Sequence, residues 1–235
     1  MRASATIAPR SRRQTAGGLL AAAALAMTGL AAFALGYVIY ILWPRWPEPP
    51  IAIDAPVVPV TVGDVLFRIP PGAIRQKVQR RPGAQDRIDL IYVWPALTPA
   101  ATLPKVDQTI PTDRLFVTIA TTTSAMTPEE RLKTIYPRYT DGVLRQGPDG
   151  LAMQTFRDNS PYRGEDVMYD PQAPERFMVR CTRDNPPMAG SCIYERFFAA
   201  TNVTVRFHRD WLSDWRKVQG SIEQLMESLR PASAN

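Results

Sequence analysis

Histidine is almost missing from this sequence. His208 stands alone, so the commonest general base and metal ligand is represented once. Cysteine is nearly as scarce, with only Cys181 and Cys192. A structural zinc site needs four such ligands at short spacing, so that class is excluded. There is also no Gly-rich phosphate loop, no G-x-S-x-G elbow and no H-E-x-x-H pair. No period of 20–50 residues recurs, which excludes a repeat array. These absences predict no cofactor, no metal and no catalytic constellation.

Acidic residues are missing from the first 45 positions, and charge of either sign is missing from Ala16 to Trp43. A hydrocarbon core about 30 Å thick is crossed by roughly 20 apolar helical residues. Residues 16–43 exceed that length and read as a transmembrane helix. Tyr37, Tyr40, Trp43 and Trp46 gather at its far end, as amphipathic rings do at a membrane interface. Arg2, Arg10, Arg12 and Arg13 flank the near end, whereas only Arg45 follows the far end. Positive flanks stay cytoplasmic, so residues 1–15 read as a cytoplasmic tail and the rest as periplasmic.

A cleaved signal peptide is the rival reading, with Ala32-Phe33-Ala34 as its cleavage site. The apolar run continues well past Ala34, which favours an uncleaved anchor. Gly18, Ala22 and Ala26 recur at four-residue spacing, as do Ala32 and Gly36. Such faces permit homo-oligomerisation through the membrane helix. In an Ala-rich segment, chance produces the same pattern.

The net charge of +6 and pI near 9.6 suggest a nucleic-acid partner. Five of the 28 basic residues precede position 46, so the remainder holds 23 basic against 22 acidic side chains. The excess is therefore an orientation signal and not a phosphate-binding field, and no nucleic acid is expected.

Outside the cytoplasm, two cysteines at this spacing predict a disulfide between Cys181 and Cys192. The intervening Asp184-Asn185-Pro186-Pro187 and Ala189-Gly190 read as a hairpin loop. Residues 44–59 carry six prolines and read as a stiff linker. Residues 60–230 are long enough for one domain with its own core, and 231–235 form a tail.

Within that domain, Gly63-Asp64 sits between two β-prone runs and predicts a hairpin. Strands are expected at 88–94, 115–119, 151–156, 166–169, 176–182, 192–198 and 202–208. Thr127-Pro128-Glu129-Glu130 is a capping box that starts a helix, with Leu132, Ile135, Tyr136 and Tyr139 on one face and Asp141-Gly142 at its close. A second helix is expected from Trp211 to Leu229, capped by Asp210. Its apolar stripe is Trp211, Trp215, Val218, Ile222, Leu225 and Leu229. The order predicts an α+β fold, an antiparallel sheet packed by two helices behind a transmembrane helix.

Candidate sites are few. Arg75, Lys77, Arg80, Arg81 and Arg87 form a basic cluster that reads as a patch for an anionic partner or as a solvated loop. His208 with Asp210 is a candidate acid–base pair. Asp64, Asp86, Asp89, Glu165, Asp166 and Asp170 are scattered carboxylates, and their spacing alone brings no two together.

Ile69-Pro70, Ala73-Ile74-Arg75, Arg80-Arg81-Pro82-Gly83, Trp94-Pro95 and the late Arg206-Phe207, Trp211-Leu212 and Trp215 carry a resemblance. The pattern over residues 60–230 resembles uncharacterised single-pass membrane proteins of rhizobial-type alphaproteobacteria. That resemblance implies an anchored, envelope-facing domain and transfers no catalytic residue. The element order alone is similar to compact α+β folds of the PsbP type, mostly binding or assembly factors. Three function classes follow: an anchored, non-enzymatic envelope binding or assembly factor; an envelope hydrolase using dispersed carboxylates or His208; and a structural subunit of a membrane complex. The first is preferred, with a protein partner in the envelope.

Overall fold

The computed structural model describes residues 12–42, 50–103, 112–122, 126–185 and 189–231. Trp43, Arg45, Trp46, the prolines at 44, 47, 49, 186 and 187, and most of both tails lie outside those residues. The chain divides into two compact units, residues 1–49 and 50–235.

The first unit is one helix, α1, Arg12–Leu42. Its stretch Ala21–Ile41 has a mean hydropathy of 1.9 and is long and apolar enough to cross a membrane. Within it Leu25, Met27, Phe33 and Leu35 are exposed on different sides, so this stretch has no polar face to present to water.

The second unit begins before the expected domain start. Ile51 N–H donates to the Ala101 carbonyl, and strand β1 (Val58–Val62) opens within the stretch expected as linker. β2 (Val65–Ile69) pairs antiparallel with β1 across Gly63-Asp64, where Gly63 adopts the left-handed φ of 57° that the turn requires. β3 (Gly83–Ala84) adds to β1 in parallel.

The main sheet has nine strands. They are β4 (Arg87–Val93), β5 (Thr98–Pro99), β6 (Arg114–Thr121), β7 (Arg145–Gln146), β8 (Ala152–Thr155), β9 (Glu165–Tyr169), β10 (Met178–Thr182), β11 (Ser191–Phe198) and β12 (Thr201–His208). Their order is β5-β4-β6-β12-β11-β10-β9-β8-β7, antiparallel throughout. Both edges are two-residue strands, too short to template pairing with another chain.

Alternation sets the two faces. Ile88, Leu90 and Tyr92 on β4, Leu115, Val117 and Ile119 on β6, and Val203, Val205 and Phe207 on β12 all point into one core. The β1–β2 hairpin and α3 (Trp215–Ser228) cover that face. Trp215, Val218, Ile222, Leu225 and Met226 of α3 are buried in the same cluster. Fully burying such a side chain contributes roughly 1.5–3 kcal/mol.

Two helix expectations need correction. The stripe starting at Trp211 is not one α-helix: Arg209–Asp214 is a 3-10 segment, and α3 begins at Trp215. The tighter turn sets Trp211 on Trp94 at 4.9 Å and beside Phe207 at 5.8 Å. Asp210 does not cap. Its own N–H donates to His208 Nδ1, and that side chain serves as the cap. The other helix, α2 (Pro128–Thr134), starts on the full Thr127–Glu130 capping box but is shorter than expected. Pro137 disfavours helical φ/ψ at Tyr136 and removes a donor, so residues 136–138 tighten into a 3-10 turn. Tyr136, Phe156, Val167 and Met178 then form a second core with Leu132, Ile135, Tyr139 and Tyr162 around it. It lies on the opposite side of the sheet from α3, over β9 and β10.

Cys181 and Cys192 are disulfide-bonded. They are direct partners in the β10–β11 register, with Cα atoms 4.0 Å apart, and both are fully buried. An apolar N-terminal helix and a buried disulfide together fit an extracytoplasmic domain with a membrane anchor or signal segment.

Two outcomes are expected. The turn between β11 and β12 holds Ala199 (φ 46°) and Ala200 (φ 65°) in the left-handed region, which Asn-Gly fills with less strain. Ala199→Asn/Ala200→Gly should stabilise by about 1 kcal/mol, raising the thermal midpoint by about 2–4 °C; an unchanged or lower midpoint contradicts this turn. Cys181→Ala/Cys192→Ala should lower unfolding free energy by about 2–3 kcal/mol in urea titration. Equal stability would show that the sheet register alone holds the pair.

Candidate functional site

The face of the main sheet opposite α3 is covered unevenly. α2 and the second core lie over β8 to β10, and Arg131 of α2 reaches Glu195 on β11. Among the described residues no helix packs over β4, β6 and β12.

Register arranges the side chains of this open area into rows. Ile91, Phe116, Arg206 and Ile193 are cross-strand partners in one row. Asp89, Thr118, Thr204 and Glu195 form the next, and Arg87, Ala120, Asn202 and Phe197 the third. Most of these positions are half-buried, whereas Arg87 and Arg206 are exposed. A shallow hollow of about 200 Å3 lies among them, lined by Arg75, Arg87, Asp89, Phe116, Thr118, Thr204 and Arg206.

Asp89 organises the hollow. Its Oδ1 accepts from Arg87 Nε at 3.0 Å and Nη2 at 2.7 Å, and from Thr118 Oγ1 at 2.8 Å. Gln79 Nε2 donates weakly to Oδ2 at 3.4 Å, and the Asp89 N–H donates to Gln79 Oε1 at 3.0 Å. Burial pushes the carboxyl group up, but the hydrogen bonds from Arg87 and Thr118 and the Arg87 charge outweigh it. The group is therefore held below its ordinary value of 3.8. Arg87 is neutralised locally by this pair. Arg75 instead lies over the Phe116 ring, 5.4 Å from its centroid. Neither Arg75 nor Arg206 has a carboxylate partner among the described residues, so the hollow keeps a positive excess.

The basic cluster expected from the sequence is thus divided. Arg75 and Arg87 enter the hollow. Arg80 does not: its Nε and Nη2 donate to the Ile74 carbonyl at 3.2 and 3.1 Å. Lys77 belongs to a 3-10 turn, Lys77–Gln79, and Arg81 is exposed in the loop that follows. The sequence cluster omits Arg206, Phe116, Thr118 and Thr204, which register brings in from β6 and β12. Their signal in the sequence is alternation, Thr204 and Arg206 interleaved with Val203, Val205 and Phe207.

The other candidates stay apart from this hollow. His208 Nδ1 lies 3.4 Å from Asp210 Oδ2, and its Nε2 is buried without a partner among the described residues. Glu165 and Asp166 are sequence neighbours on one strand and so face opposite sides. Glu165 pairs with Arg180 at 2.6 Å, and Asp166 pairs with Arg209 at 2.6 Å. Burial raises the Glu165 carboxyl, and the Arg180 charge lowers it by less. Asp170 accepts from the Gln172 N–H at 3.0 Å, an Asx turn. Asp64 sits in the first hairpin turn, and the Asp86 carbonyl accepts from Thr121 N–H. Among the described residues no three His, Cys, Asp or Glu side chains converge as a metal site.

No protein-family model matches the sequence, and no curated protein matches it. Solved structures do match. An immunity protein of the Stenotrophomonas maltophilia type IV secretion system, Smlt3025, superposes with a TM-score of 0.54 at 15% identity, covering 75% of this chain and 94% of its own. The Neisseria meningitidis iron-regulated outer membrane lipoprotein FrpD superposes at a TM-score of 0.42 and 9% identity, over 79% and 96%. The first likeness shows a shared fold; the second is too loose to carry an argument.

Asp89→Ala should destabilise by about 1–3 kcal/mol, because it strands Arg87 and Gln79 over a half-buried surface. The folded carboxyl titrates below its unfolded value. Its contribution is therefore present above the unfolded value and is lost as pH falls through the folded one. Urea titrations from pH 6 to pH 2.5 should show a smaller acid-induced loss in Asp89→Asn than in the parent. Identical pH slopes would remove Asp89 from the network.

Proposed function

We propose that this chain is a single-span, membrane-anchored envelope protein whose folded unit binds a protein partner and performs no chemistry. α1 sits in the inner membrane with the arginine-rich tail in the cytoplasm, and residues 50–231 lie in the periplasm. The arginine asymmetry around the apolar run and the buried disulfide support this placement.

One observation carries the reading. Among the described residues the sheet area over β4, β6 and β12 is uncovered, apolar in part, and positively charged through Arg75 and Arg206. Several acidic groups of the fold are engaged by arginines: Asp89 by Arg87, Glu165 by Arg180, Asp166 by Arg209, Glu195 by Arg131. Side chains held in such pairs tie the strands and turns of the fold together. A protein with the same fold being an immunity protein of a secretion system supports a binding role. The resemblance to single-pass alphaproteobacterial proteins supports the anchored, envelope-facing placement.

A photo-crosslinking residue placed at Thr118 or Thr204 in the full chain tests this in native membranes. The expected result is a discrete adduct from both open-face positions and none from Lys217, which is exposed on α3. No adduct from the open face, or the same adducts from all three positions, contradicts it.

A further inference from the structure

The open face has a chemistry more specific than a generic docking surface. Its first row sets Ile91 and Phe116 beside Arg206, with Arg75 lying over the Phe116 ring. The floor is therefore apolar and its rim is cationic. Arg87 does not add to the rim charge, since Asp89 holds it. What remains is two guanidinium groups flanking one aromatic ring.

Dimensions limit what fits. Three strands about 4.8 Å apart and three rows of side chains cover on the order of 300 Å2. A standard interface buries about 800 Å2 per partner. The area accommodates one short segment and not a whole protein face. The two-residue edge strands β5 and β7 offer little backbone for strand addition, so recognition has to pass through side chains. Guanidinium forks match carboxylates in plane and spacing, and a ring between them takes an apolar side chain.

We infer that the β4–β6–β12 face binds a short acidic segment of a protein partner, with Arg75 and Arg206 pairing its carboxylates and Phe116 and Ile91 receiving an apolar side chain between them. This rests on the binding role proposed above and names the partner's chemistry. Held against an internal pair, Arg87 and Asp89 fix the hollow's wall, and Thr118 and Thr204 supply its neutral floor contacts.

The test uses the full chain in nanodiscs of neutral phosphatidylcholine. The probe is a fluorescent twelve-residue peptide of three Glu-Glu-Leu-Glu repeats, with a Lys-Lys-Leu-Lys version as control. The acidic peptide should bind, and more weakly as salt rises from 50 to 500 mM. Arg75→Gln/Arg206→Gln should weaken binding tenfold or more, as should Thr204→Glu. Arg163→Gln/Arg176→Gln, which changes exposed arginines outside the hollow, should leave it unchanged. Both target arginines are surface residues, and an unaltered thermal midpoint shows that the variants fold.

Equal binding by the double variant overturns the inference, as does equal binding of the lysine peptide. Binding of phosphatidylglycerol vesicles through the same arginines, without the peptide, identifies a lipid surface instead and also overturns it. Self-association of the chain that Arg75→Gln/Arg206→Gln abolishes, without peptide binding, assigns the face to a second copy. If a native partner crosslinks at Thr118 but the acidic peptide does not bind, the inference fails and the binding role stands. If the peptide binds and nothing native crosslinks, the preference of the face for acidic segments stands and the proposed envelope partner is overturned.

Discussion

A nine-stranded sheet has two faces to bury, and the described residues supply covering elements for about one and a half. That shortfall shapes the folded unit. α3 and the β1–β2 hairpin close one face completely, joining Val218, Ile222 and Leu225 to Leu90, Val117 and Val205 in one core. On the other face, seven-residue α2 and its aromatic companions Tyr136, Phe156 and Tyr162 cover only β8 to β11. The uncovered strands answer with mixed chemistry. Their outward positions are neither a plain apolar patch, which would invite aggregation, nor a plain polar surface. Threonines, a paired aspartate, two arginines with no carboxylate partner among the described residues, and a half-buried phenylalanine share the area.

The N-terminal unit supplies context for that face. The same apolar run that suits a membrane also separates the arginine-rich tail from a nearly neutral remainder, so the basic pI says nothing about phosphate binding. With the bulk charge near balance, local charge acquires meaning. Arg75 and Arg206 stand out because the other charges of the hollow, Arg87 and Asp89, are consumed in a pair. The disulfide belongs to the opposite, fully buried face, where Cys181 and Cys192 join β10 to β11 beneath α3.

Much of the fold is legible locally. Alternating valines and isoleucines mark β4, β6 and β12, and the Thr127–Glu130 box marks the start of α2 to the residue. The α+β class and the Cys181–Cys192 bond follow from the same reading. Local signals misled where a neighbour intervened. Pro137 cut α2 short, and contacts of Trp211 with Trp94 and Phe207 accompany a 3-10 turn where a helix was expected. The proposed binding face was the least legible part, because it is a product of register. Arg75 and Arg206 are far apart in sequence and meet only when β4, β6 and β12 align. A linear cluster joined Arg75 to Arg80 and Arg81, which serve the loop instead.

The β4–β6–β12 face, uncovered among the described residues, is proposed to be covered by a partner in the envelope. Hydroxyl-radical footprinting of the full chain, once purified and once in native membranes, reads this at single residues. Phe116 and Ile91 should be oxidised in the purified protein and protected several-fold in native membranes, while exposed Val143 and Leu144 should react equally in both. Equal oxidation of Phe116 and Ile91 in the two preparations, or protection in both, would contradict the account.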